Sequence, residues 1–464
     1  MTLPVIKNDI GARLDRLPVS GIHRRLLLYI GAGAMLDSFD VYLAGGVTAA
    51  MRAEGFADVG SIATFMSMTF LGMLIGAALA GWSGDRFGRK TAYTWNLLLF
   101  GGASIAAAFA PTIEVLILCR LIMGIGLGAE LVIAGGMLSE FLPPKIRGRW
   151  MTILGFMINS GLLLATGVGL IVIPAIGWKP MFAIAGVGAF VVWFIRRSVP
   201  ESPRWLASVG RYDEANAIVT DFERRIEAKH GPLDAPAATL PAAPAARAPF
   251  RDLFKGRMRR RVILAVVCAV AINVCVYGFV SWIPTFFVEQ GYTVVTSLGF
   301  TTFMAVGAPV GALIGYAVTD RIKRRTTLFI FAPIAIVVGL IYPNLTEFWA
   351  IAICGFMLVS CVYTMTAVTL YAYIPELFPT ALRLRGNSVS SVAARGASIG
   401  TPYVIASLFG AFGVVGPVGL VVAVLVVMII TLILVPVETR GASIDAAGKD
   451  ASPSHTPLEE AAAR

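Results

Sequence analysis

Charged side chains are rare inside the long apolar runs of this chain, and the few that occur there are its first candidates for chemistry. Asp37 and Asp40 lie three residues apart in one run, so both carboxyl groups fall on one face of a helix. A second run carries Arg120 and Glu130, and Arg395 has no acidic neighbour in a third. Because a charge at the centre of a bilayer costs about 2.5–3.5 kcal/mol by insertion scales, these residues are candidates for proton transfer and for binding a charged ligand.

The elements that position these residues are membrane-spanning helices. Of the 464 residues, 57% are hydrophobic and 14% are charged, whereas a soluble protein carries about 25% charged residues. The apolar runs are near the ~20 residues that cross a bilayer as a helix, so we predict an all-α membrane protein with twelve transmembrane helices. The predicted spans are 26–50, 60–84, 91–110, 112–140, 150–175, 178–198, 262–288, 296–320, 327–343, 348–375, 386–411 and 413–436.

The chain repeats itself in tandem. A charged phrase around Asp85 recurs around Asp320, and 320 minus 85 gives an offset of 235. The glycines upstream keep this offset, and a second set of residues recurs at an offset of 236. The matched pairs are Gly72 with Gly307, Gly76 with Gly311, Glu140 with Glu376, Pro143 with Pro379, and Arg147 with Arg383. The repeat predicts two pseudo-symmetric six-helix bundles that rock around a central site, as in a transporter.

The repeat also divides the chain. We predict an N-terminal bundle over 1–198, a cytoplasmic linker with short helices over 199–260, a C-terminal bundle over 261–440 and a disordered cytoplasmic tail over 441–464. The net charge of +11 comes from Lys and Arg in alternate loops, while the intervening loops carry almost none, with Arg52 and Lys179 as exceptions. This is the positive-inside pattern, which places both termini in the cytoplasm and excludes nucleic acid as the reason for the basic charge.

Asp40 and Arg120 lie at similar predicted depths. Asp40 is ~15 Å and Arg120 ~12 Å from the outer ends of their spans, at 1.5 Å per residue, so the two can meet. Protonation of Asp40 would then release Arg120 and let the helices shift; the alternative is a static ion pair. Asp37 is a second candidate for the proton; the alternatives are that it contacts substrate or only tunes Asp40. Because the three histidines, at 23, 230 and 455, fall outside the predicted spans, the proton carrier is expected to be a carboxylate.

The fourth span also carries glycines at every second position, from Gly124 to Gly128, which favour close helix packing. Glu130 follows them, ~15 Å beyond Arg120 along the helix. It is either a second proton site or the partner of a loop arginine in an inner gate, and the sequence favours the gate.

Arg395 is the candidate clamp for a substrate carboxylate. It lies ~13 Å inside its span, and the offset of 236 relates it to Asn159 in the fifth span. The alternative is a side chain that snorkels to the surface. Aromatic and amide side chains could complete a pocket for a flat ring, although for each one alone the sequence favours packing or interface anchoring over ligand contact. These candidates are Tyr42, Asn273, Tyr277, Trp282, Tyr363 and Tyr371.

The phrase Asp-Arg-Phe-Gly-Arg-Lys over 85–90 resembles the signature loop of the major facilitator superfamily. The phrases at 200–206 and 436–441 are similar to those that end each half in its sugar-porter-like branch. The segments at 13–20, 280–285 and 393–402 look closest to metabolite and aromatic-acid proton symporters of the nicotinate type. In sugar porters, an aspartate and an arginine at the positions of Asp40 and Arg120 are associated with proton coupling, which the resemblance extends to this chain.

The same resemblance implies a charge latch between helices at the cytoplasmic surface, which stabilises the outward-open state. The alternative is that its basic members only fix topology. The latch residues are Asp85, Arg86, Arg89, Asp320, Arg321, Arg324, Glu140, Arg147, Glu376 and Arg383.

Together these observations predict a monomeric proton symporter in the plasma (inner) membrane that imports a small organic anion, such as nicotinate or a benzoate. The alternatives are a sugar or polyol porter and a membrane sensor that does not transport. No nucleophile–base pair or metal cluster is evident in the spans, so we expect neither an enzyme nor a cofactor, and the proton is the expected coupling ion.

Overall fold

The computed structural model describes residues 10–235, 249–319, 321–345, 347–379 and 382–438. The predicted tail and the centre of the predicted linker lie outside these residues. The described chain is helical nearly throughout and contains no strand.

Twelve long helical segments follow the order of the predicted spans in the described part of the chain. Their bounds are α1 Gly21–Ala53, α2 Val59–Phe87, α3 Arg89–Ala108, α4 Ile113–Phe141, α5 Pro144–Ile176, α6 Lys179–Arg196, α7 Gly256–Glu289, α8 Val294–Thr319, α9 Arg324–Asn344, α10 Phe348–Glu376, α11 Arg383–Phe412 and α12 Val415–Leu434. All except α3 and α11 are long and apolar enough to cross a membrane by composition alone. Polar residues lower the hydropathy of the two exceptions, with Thr94 and Asn96 in α3, and Asn387, Ser390 and Ser391 in α11.

The first segment starts earlier than predicted. Helix α1 begins at Gly21 rather than at 26, so His23 lies inside it, contrary to the prediction that every histidine falls outside the spans. The imidazole is buried, and its Nδ1 lies 3.0 Å from the hydroxyl of the N-cap residue Ser20. Capping at Ser20 sets the start of the helix, and a hydropathy pattern does not detect this interaction.

The two halves pack by the same scheme. In the first half α2 packs on α4 and α1 on α5, and in the second half α8 packs on α10 and α7 on α11. Between the halves, α2 contacts α11, α5 contacts α8, and α1 contacts the end of α7. These pairings relate the halves by a pseudo-twofold axis.

Glycines let α4 lie close to two neighbours at once. A Cβ on Gly124 would lie 3.0 Å from the Cα of Gly72 on α2, and one on Gly126 would lie 2.9 Å from the Cβ of Phe100 on α3. Gly128 returns to the α2 side, where a Cβ would lie 2.5 Å from the Cα of Met73. The alternating glycines therefore serve packing on two faces, as the sequence predicts.

Two helices of the second half change winding near the centre. Helix α7 has a π-helical turn over Val274–Phe279, and α10 has one over Thr369–Tyr373. Pro284 and Pro375 follow shortly after, and a proline lacks the N–H that would bond the preceding turn. π-turns inside helices concentrate at functional sites, and these two carry Tyr277 and Tyr371.

Short helices cover one end of the bundle. Helix Ile10–Asp15 lies against helix Tyr212–His230, with helix Pro203–Ser208 beside them. Arg204 donates a 2.5 Å hydrogen bond to Asp15 and a 2.9 Å hydrogen bond to the backbone carbonyl of Glu140. We call this end the basic face and the other end the opposite face.

Candidate functional site

Asp40 and Arg120 form an ion pair in the interior of the first half. Nη1 of Arg120 donates a 2.6 Å hydrogen bond to Oδ2 of Asp40, and Nη2 donates a 3.3 Å bond to the backbone carbonyl of the same residue. Both side chains have zero solvent exposure. Helices α1 and α4 therefore meet at these two residues, as their calculated depths in the bilayer predict.

Two aromatic rings hold the guanidinium of Arg120 in place. Its Cζ atom lies 4.7 Å from the ring centroid of Phe65 on α2 and 5.4 Å from that of Phe182 on α6. A cation over an aromatic face gains about 0.5–2 kcal/mol, more when desolvated. Oδ1 of Asp40 and Nε of Arg120 have no hydrogen-bond partner in the described structure. The pair is therefore dry and held by four helices.

A second buried charged cluster lies one helical turn nearer the basic face. Glu130 on α4 lies against α1 beside Asp37: a Cβ added to Gly33, one helical turn before Asp37, would meet Oε1 of Glu130, and the two carboxyl groups interact. The hydroxyl of Tyr93 on α3 donates to Oε1 of Glu130. Arg196 ends α6 beside them, with its Cζ atom 3.2 Å from the ring centroid of Tyr93.

The sequence reasoning missed Tyr93 and Arg196. Arg196 stands at the end of an apolar span, where an arginine normally marks topology. Its Nε and Nη2 atoms instead donate to the backbone carbonyls of Tyr29 and Ile30, at 3.1 and 3.0 Å, which turns the side chain inward. These carbonyls lie in the third turn of α1 and accept the arginine as an additional donor because the end of α6 packs beside them, so the signal is tertiary.

Four of the predicted pocket residues meet at the centre of the molecule. The hydroxyl of Tyr363 on α10 donates a 2.6 Å hydrogen bond to that of Tyr42 on α1. Tyr42 stacks on Tyr277 with ring centroids 6.2 Å apart, and Tyr277 interacts electrostatically with Tyr371 and Arg395. We call these five residues the central cluster. It joins α1 of the first half to α7, α10 and α11 of the second.

The other predicted pocket residues lie in packing positions. Trp282 is fully buried and stacks on Phe286 at 6.1 Å, and its indole N–H has no partner in the described structure. The amide of Asn273 donates to the carbonyl of Ala269 in its own helix at 2.9 Å. Asn159 is buried on α5, and the described residues include no hydrogen bond between it and Arg395.

The halves are joined at the opposite face. The hydroxyl groups of Thr48 on α1 and Thr285 on α7 lie 3.2 Å apart, and one helical turn further out Arg52 forms an ion pair with Glu289. Tyr371, on the basic side of the central cluster, is 54% exposed. The halves are thus bridged on the opposite side of the central cluster, and the exposed residue of the cluster lies on its basic side.

The predicted latch residues lie at the basic face. Arg324 forms an ion pair with Glu376 at 3.1 Å, and Arg147 donates to the carbonyl of Leu142 at 3.0 Å. Arg86 and Arg321 are exposed, and Arg383 begins α11. Asp320 and the side chains of Asp85 and Arg89 lie outside the described residues.

Each half also ends with a glutamate that caps a helix of its own half. Glu201 accepts from the backbone N–H of Lys90 at 3.1 Å, at the start of α3. Glu438 accepts from the backbone N–H of Arg324 at 3.2 Å, at the start of α9. Carboxylates at helix N-termini are stabilised by the exposed N–H groups and the helix dipole, and the repeat places one at the same point of each half.

The described residues contain no group of three or more histidine, cysteine or acidic side chains that could hold a metal. They form two similar helical halves, with the buried Asp40–Arg120 ion pair in the first half and the central cluster between the halves, which are bridged at the opposite face. This architecture defines a membrane transporter.

The comparisons with known proteins identify the family. The chain belongs to the sugar (and other) transporter family of the major facilitator superfamily, whose profile matches residues 28–450. A solved structure of the xylose transporter XylE from E. coli, in a partially occluded inward-open conformation, superposes with a TM-score of 0.71 at 19% identity. The match covers 91% of this chain and 100% of that one, and it confirms the predicted fold.

Two curated relatives are similar over most of their length. The inner membrane metabolite transport protein YdjE of Escherichia coli (strain K12) is 36% identical over 409 residues, which cover 86% of this chain and 90% of the relative. The niacin transporter NiaP of Acinetobacter baylyi is 31% identical over 400 residues, with the same two coverages. The chain is therefore a multi-pass membrane transporter and not an enzyme, as predicted.

Proposed function

We propose that this protein is a proton-coupled symporter that imports an aromatic monocarboxylate such as nicotinate or a benzoate. The observation that carries the proposal is the position of Arg395. Its guanidinium is half-buried in the middle of α11, interacts with Tyr277 and has no carboxylate partner among the described residues. An unpaired cation at this depth is costly unless an anion joins it.

The surroundings of Arg395 fit an aromatic acid. A guanidinium binds a carboxylate through two parallel N–H···O bonds, and tyrosine rings offer apolar faces to a flat ring. Tyr277 and the half-exposed Tyr371 supply such faces on the accessible side of the central cluster. A niacin transporter among the relatives is consistent with this class of substrate.

The Asp40–Arg120 pair supports the coupling part of the proposal. Protonation of Asp40 removes one charge of a dry pair, and Arg120 is then an uncompensated buried cation. That state is relieved when α1 and α4 shift so that water reaches the guanidinium. A proton can therefore bias the two conformations of the transporter through this pair.

We further propose that the basic face is cytoplasmic, with both chain termini on that side, by the positive-inside rule. The name of the relative YdjE supports the inner membrane as the location. Since one chain supplies both halves and the whole central cluster, we expect a monomer. No resident cofactor is needed for this mechanism.

The test is uptake of labelled nicotinate and benzoate into proteoliposomes, with and without an inwardly directed proton gradient. We expect gradient-driven uptake in the wild type, its loss in Arg395→Gln and in Asp40→Asn, and normal uptake in Arg260→Gln, which removes an exposed arginine at the start of α7. Uptake of labelled sugars or polyols without any carboxylate uptake would overturn the anion assignment in favour of the sugar or polyol alternative.

A further inference from the structure

We propose that Asp37 and Glu130 form a carboxyl pair that holds one proton between them, and that this pair stores the coupling proton in the conformation described here. The shared proton follows from the burial, the hydrogen bonds and the charges of the pair, whereas its part in transport rests on the proposed function.

The carboxyl pair lacks hydrogen-bond donors. Both residues are 1% exposed. Tyr93 serves one oxygen of Glu130, but the other oxygen of Glu130 and both oxygens of Asp37 have no N–H or O–H donor in the described structure. An unsatisfied buried charged acceptor costs several kcal/mol, and two carboxylates in contact repel each other. One proton between them supplies the missing donor and removes the repulsion.

The helices that surround the pair leave one negative charge to be balanced. Helix α1 brings Asp37 and Asp40, α4 brings Arg120 and Glu130, α6 brings Arg196, and α3 brings the hydroxyl of Tyr93. Helix α5 adds no charged residue over 150–176. Asp40 and Arg120 neutralise each other through their hydrogen bond. Asp37, Glu130 and Arg196 then remain, with a net charge of −1 when both acids are ionised, which is two negative charges and one positive charge. A single bound proton makes the group neutral.

Arg196 is held in place by contacts other than hydrogen bonds to the pair. Two of its donor nitrogens are used on the backbone carbonyls of Tyr29 and Ile30, and its guanidinium lies against the ring of Tyr93. The arginine is thus fixed beside the carboxyl pair as a charge, without supplying the donors that the pair lacks. Tyr93 and Arg196 are positioning residues that keep one proton, and not two or none, on the pair.

The position of the pair suits a proton store for the Asp40–Arg120 ion pair. Asp37 and Asp40 are separated by one helical turn, about 5–6 Å between Cβ atoms, on the same face of α1. The stored proton is therefore one turn from the carboxylate whose protonation would open the ion pair. The Asp37–Glu130 pair thus stores the proton, and the neighbouring Asp40 switches the conformation.

The decisive experiment needs no substrate. Infrared spectroscopy of the reconstituted protein at neutral pH detects a protonated buried carboxyl group by its C=O stretch, which shifts in heavy water. We expect such a band in the wild type and its loss in both Glu130→Gln and Asp37→Asn, because either change leaves one carboxylate balanced by Arg196. Either variant suffices if the other fails to fold.

Two further variants sharpen the result. Glu289→Gln removes a carboxylate from the opposite face, and the band should remain. Tyr93→Phe removes the donor to Glu130, so the band should persist at a shifted frequency. A wild type without the band, or a band retained in both Glu130→Gln and Asp37→Asn, would overturn the proposal.

A transport measurement separates this proposal from the proposed function. In Glu130→Gln we expect exchange of external for internal labelled nicotinate to continue, while accumulation driven by a proton gradient is lost. Gradient-driven accumulation at the wild-type level in this variant would overturn the storage role. If the wild type moves no carboxylate at all, the proposed function fails, and the infrared result still decides whether the pair holds a proton.

Discussion

The hydroxyl of Tyr363 donates to the hydroxyl of Tyr42 at 2.6 Å, and this bond joins the two halves within the central cluster. It can form only while α1 and α10 are close. We expect Tyr363→Phe to lose about 1 kcal/mol from the closed arrangement, which shifts the balance roughly fivefold toward opening at the opposite face.

The measurement is the distance distribution between spin labels at Ala53 and Gln290, which are exposed at that face. The long-distance population should grow in Tyr363→Phe. Tyr316→Phe, which changes an exposed tyrosine of α8, is the matched control and should leave the distribution as in the wild type. An equal shift in both variants would mean that the hydrogen bond does not hold the halves together.

The Asp40–Arg120 pair predicts strong coupling between two substitutions. Asp40→Asn leaves a buried guanidinium without its anion, so we expect destabilisation of about 3–5 kcal/mol. Arg120→Gln leaves the opposite charge and should cost a similar amount. The double variant has neither charge, and its loss should be well below the sum of the two single losses.

Thermal unfolding of the four proteins in detergent measures this cycle. Additive losses would show that the two side chains do not depend on each other, and the coupling proposed for Asp40 would lose its basis.

The sequence predicts the helices of this protein well because the bilayer requires long apolar segments. The phrases that end each half also prove to be equivalent, since Glu201 and Glu438 within them cap matching helices in the two halves. The depth of Asp40 and Arg120 follows from helical rise alone. All of these features can be predicted because they depend only on the spacing of residues along the chain.

The remaining parts of the site depend on how helices are rotated and where they end. In the sequence, Arg196 stands at the end of a span, where an arginine normally marks the cytoplasmic side. Only its hydrogen bonds to the carbonyls of Tyr29 and Ile30 on the adjacent α1 turn it inward, beside Glu130. Tyr277 and Tyr371 each lie in a π-turn. A π-turn rotates the helix face by part of a turn, so a 3.6-residue period names both tyrosines as candidates without showing that they meet. Trp282 shows the converse, a predicted ligand residue that the fold uses in an aromatic stack.

The close packing of α4 against α2 predicts a sharp difference between two glycines of one helix. A Cβ at Gly128 would meet backbone atoms of Met73, which cannot rotate away, whereas a Cβ at Gly136 has nothing within 4 Å. Gly128→Ala should destabilise the protein by about 1–3 kcal/mol through overpacking. Gly136→Ala should be neutral or slightly stabilising, since alanine favours the helix. Equal melting temperatures for the two variants would show that α4 has room to move.

The last prediction concerns the docking of helix Ile10–Asp15 at the basic face. Arg13 and Arg16 donate to Glu223 at 2.5 and 2.6 Å. Partial burial acts to raise the pKa of Glu223, but the hydrogen bonds and charges of the two arginines outweigh it, and the pKa is lowered. A lowered pKa in the folded state means that the stabilisation is complete above the ordinary glutamate value, about 4.3, and is lost as the pH falls through the lowered value.

Amide hydrogen exchange over residues 10–16 measures this docking. At neutral pH, Glu223→Gln should speed exchange there by about tenfold or more, because each hydrogen bond to a charged group contributes about 1.5–3 kcal/mol. Glu214→Gln is the matched control, since Glu214 pairs only within its own helix, with Arg211 at the N-cap. In the wild type, intrinsic exchange rates corrected for pH should reveal undocking below about pH 4. Protection that persists unchanged in Glu223→Gln would show that apolar contacts, and not this carboxylate, hold the helix in place.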